Sequence, residues 1–217
     1  MSISVLIADD HAVVREGLHF LLETQGDVKV VGEAANGREV LQQVLKLRPD
    51  VVLMDIAMPE LNGIEAARQI RDICPATRVI ILSMHSTKEH VYRALQAGAS
   101  GYVLKESAGK EVFDALRAVQ AGHRYLSQKL TDLLLDDMSR LHDLHGYQDP
   151  LSCLSSRELE VLQLLVEGNS NARIAEKLFL SVKTAETYRS RIMQKLEIHD
   201  IPGLVKFAIQ HGLTTIE

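Results

Sequence analysis

Cysteine is scarce in this chain, with only Cys74 and Cys153 among 217 residues. The two are far apart and fit no metal-binding or redox spacing, so neither chemistry is assigned to them. Cys74, just before Pro75 at a predicted helix end, reads as a small apolar residue. No apolar run approaches the ~18–20 residues that a membrane span requires. The opening Met1-Ser2-Ile3-Ser4 lacks the basic-then-apolar order of a secretory signal. The expectation is therefore a cytoplasmic protein without membrane contact. Glycine-rich phosphate loops, Ser/His/Asp arrangements and internal repeats are missing as well. Of the nine histidines, His142 and His145 lie on either side of Asp143 and read as solvated side chains rather than metal ligands.

What is present is an ordinary folded composition, 46% hydrophobic, in a length that suits one large domain or two small ones. Up to about residue 122 the chain alternates strand and helix. Short apolar runs at 3–8, 28–34, 51–54, 78–83 and 101–104 predict strands. Helical stretches follow them at 13–25, 37–46, 64–73, 88–97 and 109–121. Such alternation predicts a parallel sheet covered by helices on both faces. The pattern then changes. Residues 125–150 read as a linker holding an acidic helical stretch, Gln128 to Leu144, and a break at Gly146-Tyr147-Gln148-Asp149-Pro150. From 151 to 217 the sequence is helical throughout. Ser155 with Glu158 forms a capping box, Ser170 and Ser181 cap two further helices, and a last helix spans roughly 203–211.

Chemistry gathers where the predicted strands end. Ile3 to Ala8 runs into Asp9 and Asp10, Val51 to Met54 ends on Asp55, and Gly101 to Leu104 ends on Lys105. In an open parallel sheet the carboxyl ends of the strands share one crevice. Three carboxylates crowded there repel one another unless a hard cation joins them, and Mg²⁺ suits an all-oxygen site. Carboxylate, metal and lysine together make a place where phosphate can pass to a side chain, with Asp55 as nucleophile.

These stretches, Leu6-Ile7-Ala8-Asp9-Asp10-His11, Val51 to Pro59, Ile80-Ile81-Leu82-Ser83 and Gly101-Tyr102-Val103-Leu104-Lys105, resemble the receiver domain of two-component response regulators. The resemblance covers about residues 1–124 and implies strand order 2-1-3-4-5. It implies that Asp55 is the phosphoacceptor. Mg²⁺ would be held by Asp10, Asp55 and the Ala57 carbonyl, with Asp9 acting largely through water. Lys105 would pair with the phosphoryl oxygens, Ser83 would sense the phosphoryl group, and Tyr102 would turn inward with it. Glu106 stands where many receivers have proline. His85, two residues past Ser83, is expected to slow hydrolysis of the acyl phosphate by its bulk.

The net charge of −5 conceals an asymmetry. Within 173–195, Arg173, Lys177, Lys183, Arg189, Arg191 and Lys195 face only Glu176 and Glu186, a local excess of four positive charges. That is a modest footprint for nucleic acid. Ala185, Tyr188, Ile192 and Leu196 follow the spacing of a buried stripe, which leaves Lys183, Glu186, Thr187, Ser190, Arg191 and Gln194 on the opposite face. A helix of that kind suits the major groove: Glu186, Thr187 and Ser190 for base edges, Lys183, Arg189 and Lys195 for phosphates.

Leu154-Ser155-Ser156-Arg157-Glu158, Val161-Leu162, Gly168-Asn169-Ser170-Asn171, Ile174-Ala175, Leu178 and Ser181-Val182-Lys183-Thr184 resemble the LuxR-type helix-turn-helix. With the receiver in front, the whole chain resembles a NarL/FixJ-type response regulator. The expected architecture is α/β plus all-α: a doubly wound, five-stranded parallel (βα)5 domain, then a four-helix helix-turn-helix domain. The resemblance implies a sensor histidine kinase as phosphodonor, promoter DNA as ligand, and a homodimer on phosphorylation or DNA binding. It also implies no enzyme activity beyond the receiver's own Mg²⁺-dependent phosphorylation and dephosphorylation. Two rivals stand beside this reading. One is a DNA-binding regulator whose receiver works without phosphate, and the other is an aspartyl phosphotransferase, disfavoured because Ala57 occupies the place of its second acid.

Overall fold

The computed structural model describes residues 2–84, 86–138 and 150–214. The chain divides into two compact units, Met1–Leu144 and His145–Glu217. In the first, strands β1 (Ile3–Ala8), β2 (Val28–Ala34), β3 (Val51–Asp55), β4 (Arg78–Ser83) and β5 (Gly101–Leu104) alternate with helices. These helices are α1 (Ala12–Glu23), α2 (Gly37–Leu47), α3 (Gly63–Ile73), α4 (Lys88–Ala97) and α5 (Ala108–Gln120). The sheet is parallel, in the order β2-β1-β3-β4-β5-β6, where β6 is the short strand Tyr125–Leu126.

Alternation along each strand decides which helices cover which face. Val5 and Ile7 of β1 pack with Leu18 and Leu22 of α1 and with Val112 and Leu116 of α5. Leu6 and Ala8 turn to the other face and join Val40 and Val44 of α2, Ile64 and Ile70 of α3, and Val91 and Ala94 of α4. β3 lies in the middle and is buried along its whole length. Each fully buried Val, Leu or Met there contributes about 1.5–3 kcal/mol, which leaves the strand little room to slip. Its acidic end, Asp55, is therefore fixed by apolar packing behind it.

One strand more than the sequence suggests is present. Tyr125–Leu126 forms β6 and pairs with β5, Gly101 opposite Tyr125 and Tyr102 opposite Leu126. Two residues are too few to show a strand period, so the segment reads as linker until the pairing is seen. Ser127 then ties it down: its amide donates to the Tyr102 carbonyl at 2.9 Å, and its hydroxyl accepts from the Leu104 amide at 3.0 Å. Helix α6 (Gln128–Met138) follows and places Leu130 in the core beside α4. Residues 139–149 of the expected linker, with His142 and His145, lie outside the described residues.

In the second unit α7 (Ser156–Val166), α8 (Asn171–Leu178), α9 (Val182–Leu196) and α10 (Ile201–Gln210) surround a core of Leu159, Leu162, Ile174, Leu178, Ile192 and Leu204. The Ser155–Glu158 capping box is formed, and Ser170 and Ser181 accept from the amides of Arg173 and Thr184. No helix among the described residues is long and apolar enough to cross a membrane.

Candidate functional site

Strand register builds the acidic site. Ala8 lies opposite Met54, Asp55 opposite Leu82, and Ser83 opposite Leu104. The residues that follow or end these strands, Asp9, Asp55, Ser83 and Lys105, thus meet at one sheet edge. Asp9 and Asp55 are 1% and 5% exposed. Lys105 Nζ bridges them, 2.6 Å from Asp9 Oδ2 and 2.9 Å from Asp55 Oδ2. The other Asp55 oxygen accepts from the Ile56 amide at 2.8 Å.

Charge is not balanced there. Burial pushes the Asp55 carboxyl above its ordinary value; Lys105 pulls it back and Asp9 pushes it up again. Burial also works against the charged form of Lys105, yet Asp55 and Asp9 hold its ammonium above the usual lysine range. One lysine faces three carboxylates. The exposed His11 adds partial relief, with Nδ1 2.7 Å from Asp10 Oδ1 and 3.2 Å from Asp9 Oδ1. Asp10, followed by desolvation and the Asp9 contact, governs the His11 imidazole, which is held above its ordinary value.

Asp9 Oδ2 and Asp10 Oδ1 are buried without a well-formed hydrogen bond, their close neighbours being the ion-pair partners Lys105 and His11. Ligand atoms of Asp9, Asp10, His11 and Asp55 all lie within 4.8 Å of one another. The donor set is dominated by carboxylate oxygen, which fits a hard divalent cation such as Mg²⁺. Ala57 is half-buried in the loop just beyond Asp55.

Ser83 and Tyr102 sit deeper, 1% and 0% exposed. Burial raises the Tyr102 phenol to about 12, and a hydrogen bond with Ser83 offsets part of that rise. Ser83 and Tyr102 are thus in contact. His85 lies outside the described residues.

The second candidate surface is α9. Lys183, Glu186, Thr187, Ser190 and Arg191 are exposed, and Arg189 is half-buried. Ala185 and Ile192 are buried beneath them, with Tyr188 and Leu196 packed against the same core. Lys183, Thr184, Thr187, Tyr188 and Arg191 line a groove of about 350 Å³ together with Ser181. Thr187 and Ser190 donate back to the carbonyls of Lys183 and Glu186 at 2.9 and 3.0 Å. Their hydroxyl oxygens remain able to accept.

Two comparisons decide the family. Residues 5–117 match the response regulator receiver domain, and residues 152–208 match the bacterial regulatory proteins of the luxR family. The oxygen regulatory protein NreC of Staphylococcus aureus is 42% identical over 212 residues, which cover 96% of this chain and 98% of that one. The chain is a response regulator of the luxR family. Its fold agrees with solved relatives. RcsB of Salmonella typhimurium is 30% identical and superposes with a TM-score of 0.59, over 95% of this chain and 97% of that one. A structure of an RcsB–DNA complex is 29% identical, with the same TM-score, over 95% and 98% of the two chains.

In this response regulator the structure gathers Asp9, Asp10, Asp55 and Lys105 directly, with Ser83 and Tyr102 behind them. Lys195 goes elsewhere. Its Nζ lies 2.7 Å from Glu158 Oε2 and 3.0 Å from the Cys153 carbonyl, so it closes α9 onto the cap of α7. No sequence spacing signals that pair, 37 residues apart. Three further residues shape the acid pocket without having been singled out. His11 is the first. Arg15 donates to the Asp9 carbonyl at 2.7 Å and so fixes the turn that carries two of the acids. Gly63 is the third: a Cβ there would stand 2.0 Å from the Asp55 carbonyl oxygen, so only glycine lets α3 begin this close to the site.

Proposed function

We propose that this response regulator is switched by phosphorylation of Asp55 and acts on transcription by binding promoter DNA through α9. One observation carries the phosphorylation reading most directly: a single lysine bridging two buried carboxylates from neighbouring strands, with a third carboxylate beside them. Such a pocket has an unmet demand for positive charge, which a divalent ion and a phosphodonor would meet together. Asp9, Asp10, Asp55 and the Ala57 carbonyl would hold Mg²⁺, whose charge offsets that of the phosphoryl oxygens.

The chain's own groups divide the remaining work. The Ile56 amide and Lys105 orient the Asp55 carboxylate, so that one oxygen can meet phosphorus in line with the leaving group. Lys105 then exchanges carboxylate for phosphoryl oxygen as partner. Ser83 donates to the transferred group, and the change reaches Tyr102 through their shared hydrogen bond. The donor would be the phosphohistidine of a sensor kinase, which together with promoter DNA places the protein in the cytoplasm. Its catalysis is confined to its own phosphorylation and hydrolysis.

On DNA, Lys183, Arg189 and Arg191 would meet phosphates, and Glu186, Thr187 and Ser190 would face base edges. Lys195, paired with Glu158, is left out of this set. The RcsB–DNA complex among the similar structures supports the reading, and a homodimer would let two half-sites be read at once.

Intact mass after incubation with acetyl phosphate and Mg²⁺, for the parent and Asp55→Ala, tests the switch when the same samples are titrated onto promoter DNA. A gain of one phosphate that is lost in the variant, with tighter DNA binding by the phosphorylated parent, is expected. No adduct in the parent and unchanged DNA binding would leave a regulator whose receiver works without phosphate.

A further inference from the structure

The sixth strand creates a second charged site at the opposite edge of the sheet. Strands β4, β5 and β6 are consecutive neighbours, and their amino ends align. Arg78 begins β4, Ser100 precedes β5, and Arg124 precedes β6. These three, with Arg71 from the end of α3 and His123 from the turn after α5, line a pocket of about 260 Å³. No carboxylate is among its lining residues.

Arg71 is tied to the pocket wall, and its one acidic contact does not extend to the other cations. Arg71 donates from Nη1 to the Gln96 carbonyl at 3.0 Å, which anchors its head at the pocket wall. Its stem passes under Gly98 at φ +107°, where a Cβ would stand 2.8 Å from Arg71 Cδ. Its acid neighbour, Asp72, lies 3.5 Å from Nε, a long contact on the exposed side. Among the described residues no acid pairs with Arg78 or Arg124, or with His123. The backbone amides of Gly98, Ala99, Ser100, Gly122 and His123 are already bonded to carbonyls, so a ligand would be held by side chains.

Guanidinium groups facing one cavity repel one another unless an anion lies between them, and their forks match phosphate oxygens. The volume is below the ~300–1,000 Å³ of pockets for drug-sized ligands, which selects a small and highly charged group. We infer that this pocket binds a small phosphate-bearing anion of diphosphate size, either free or as the polyphosphate end of a nucleotide. Concavity built from four separate elements favours such a ligand over the extended backbone of nucleic acid.

The test is calorimetric titration of sodium pyrophosphate into the full-length protein in EDTA. Without metal, the acid pocket repels anions. Saturable binding is expected, weakened at least tenfold in Arg78→Gln/Arg124→Gln and unchanged in Lys183→Gln. Both exchanged arginines are exposed, and an unchanged thermal midpoint verifies the fold. The milder Arg78→Lys/Arg124→Lys should give an intermediate loss. Parallel titrations of ATP and AMP separate the sources: ATP tighter than pyrophosphate identifies a nucleotide, and equal affinity identifies free polyphosphate. Absence of saturable binding in the parent, or equal affinity in parent and Arg78→Gln/Arg124→Gln, overturns the proposal. So does a loss seen only in Lys183→Gln, or an arginine variant that loses affinity for DNA alone.

Discussion

In the receiver unit Lys105 Nζ lies 2.6 and 2.9 Å from the carboxylates of Asp9 and Asp55; in the helix-turn-helix unit Lys195 Nζ lies 2.7 Å from Glu158. The contacts look alike, but their surroundings do not. Glu158 has its demands met, because Oε2 also accepts from the Ser155 amide and hydroxyl and the pair is one to one. Around Lys105 the count is one against three, and the exposed His11 adds only partial relief. A balanced ion pair closes a structure, whereas an unbalanced one leaves work for a ligand. The arginine pocket at the far sheet edge is the same imbalance with the sign reversed.

The largest effects should come from deepening that contrast at Asp55 and Lys105. Asp55→Asn should abolish phosphoryl incorporation from acetyl phosphate altogether. Lys105→Met should slow it about 10²–10³-fold, the usual cost of losing one donor to developing charge. Single-turnover mass spectrometry reads both. A Lys105→Met protein that phosphorylates at the parent rate would make Lys105 no more than a second Lys195.

Gly63→Ala strikes the same pocket through its backbone. The new methyl would overlap the Asp55 carbonyl, and relieving that overlap must move either the start of α3 or the end of β3. Overpacking of this kind costs about 1–3 kcal/mol, at its upper end when backbone is the obstacle. A lower urea midpoint together with slower phosphorylation is expected. Loss of stability with a parental phosphorylation rate would show that the acid pocket does not depend on how α3 is seated.

How much of this was legible in sequence follows from the same distinction. Asp9, Asp10, Asp55 and Lys105 could be placed because each follows an apolar run that forms a strand, and parallel strands must end together. Tyr125–Leu126 could not, because two residues carry no period and their pairing with Gly101 and Tyr102 joins segments distant in sequence. Gly63 looks like any loop glycine until the carbonyl beneath it is known. Lys195 carries a basic charge on a basic helix, and only the fold brings Glu158 beneath it. Periodicity and element ends are local and readable, but close approach and long-range pairing are not.

A middle-sized effect is expected from Lys195→Met. It leaves the Glu158 carboxylate, 5% exposed as a side chain, with its Ser155 contacts alone. Breaking a fully buried pair costs about 3–5 kcal/mol, but Lys195 is 41% exposed, so solvent screening reduces the expectation to about 1–2 kcal/mol. The pH dependence has a definite sign. Burial alone would raise the Glu158 carboxyl; Lys195 and Ser155 outweigh it and hold the group below its ordinary value. A depressed carboxyl contributes stability above its unfolded pKa of about 4.3 and loses it as pH falls through the folded value. The gap between parent and Lys195→Met in denaturant midpoint should therefore be full at neutral pH and narrow below about pH 4. A gap that stays constant into acid would assign the loss to packing of the lysine stem, which carries no proton.

Lys183→Ala sharpens the comparison from the other side. Lys183 is exposed on the groove face of α9. Its removal should change stability by less than ~0.5 kcal/mol, as surface exchanges usually do. On DNA the same exchange should weaken binding alike for every sequence and reduce the salt slope by about one, the mark of a lost phosphate contact. Lys195→Met should do the reverse, costing stability while leaving the salt slope in place at temperatures where the unit stays folded. Fluorescence anisotropy at several salt concentrations, run on both variants, separates the two lysines. If Lys195→Met lowers the slope as Lys183→Ala does, Lys195 exchanges Glu158 for a phosphate on DNA, and the ion pair of the free protein is a resting position for a DNA-binding residue.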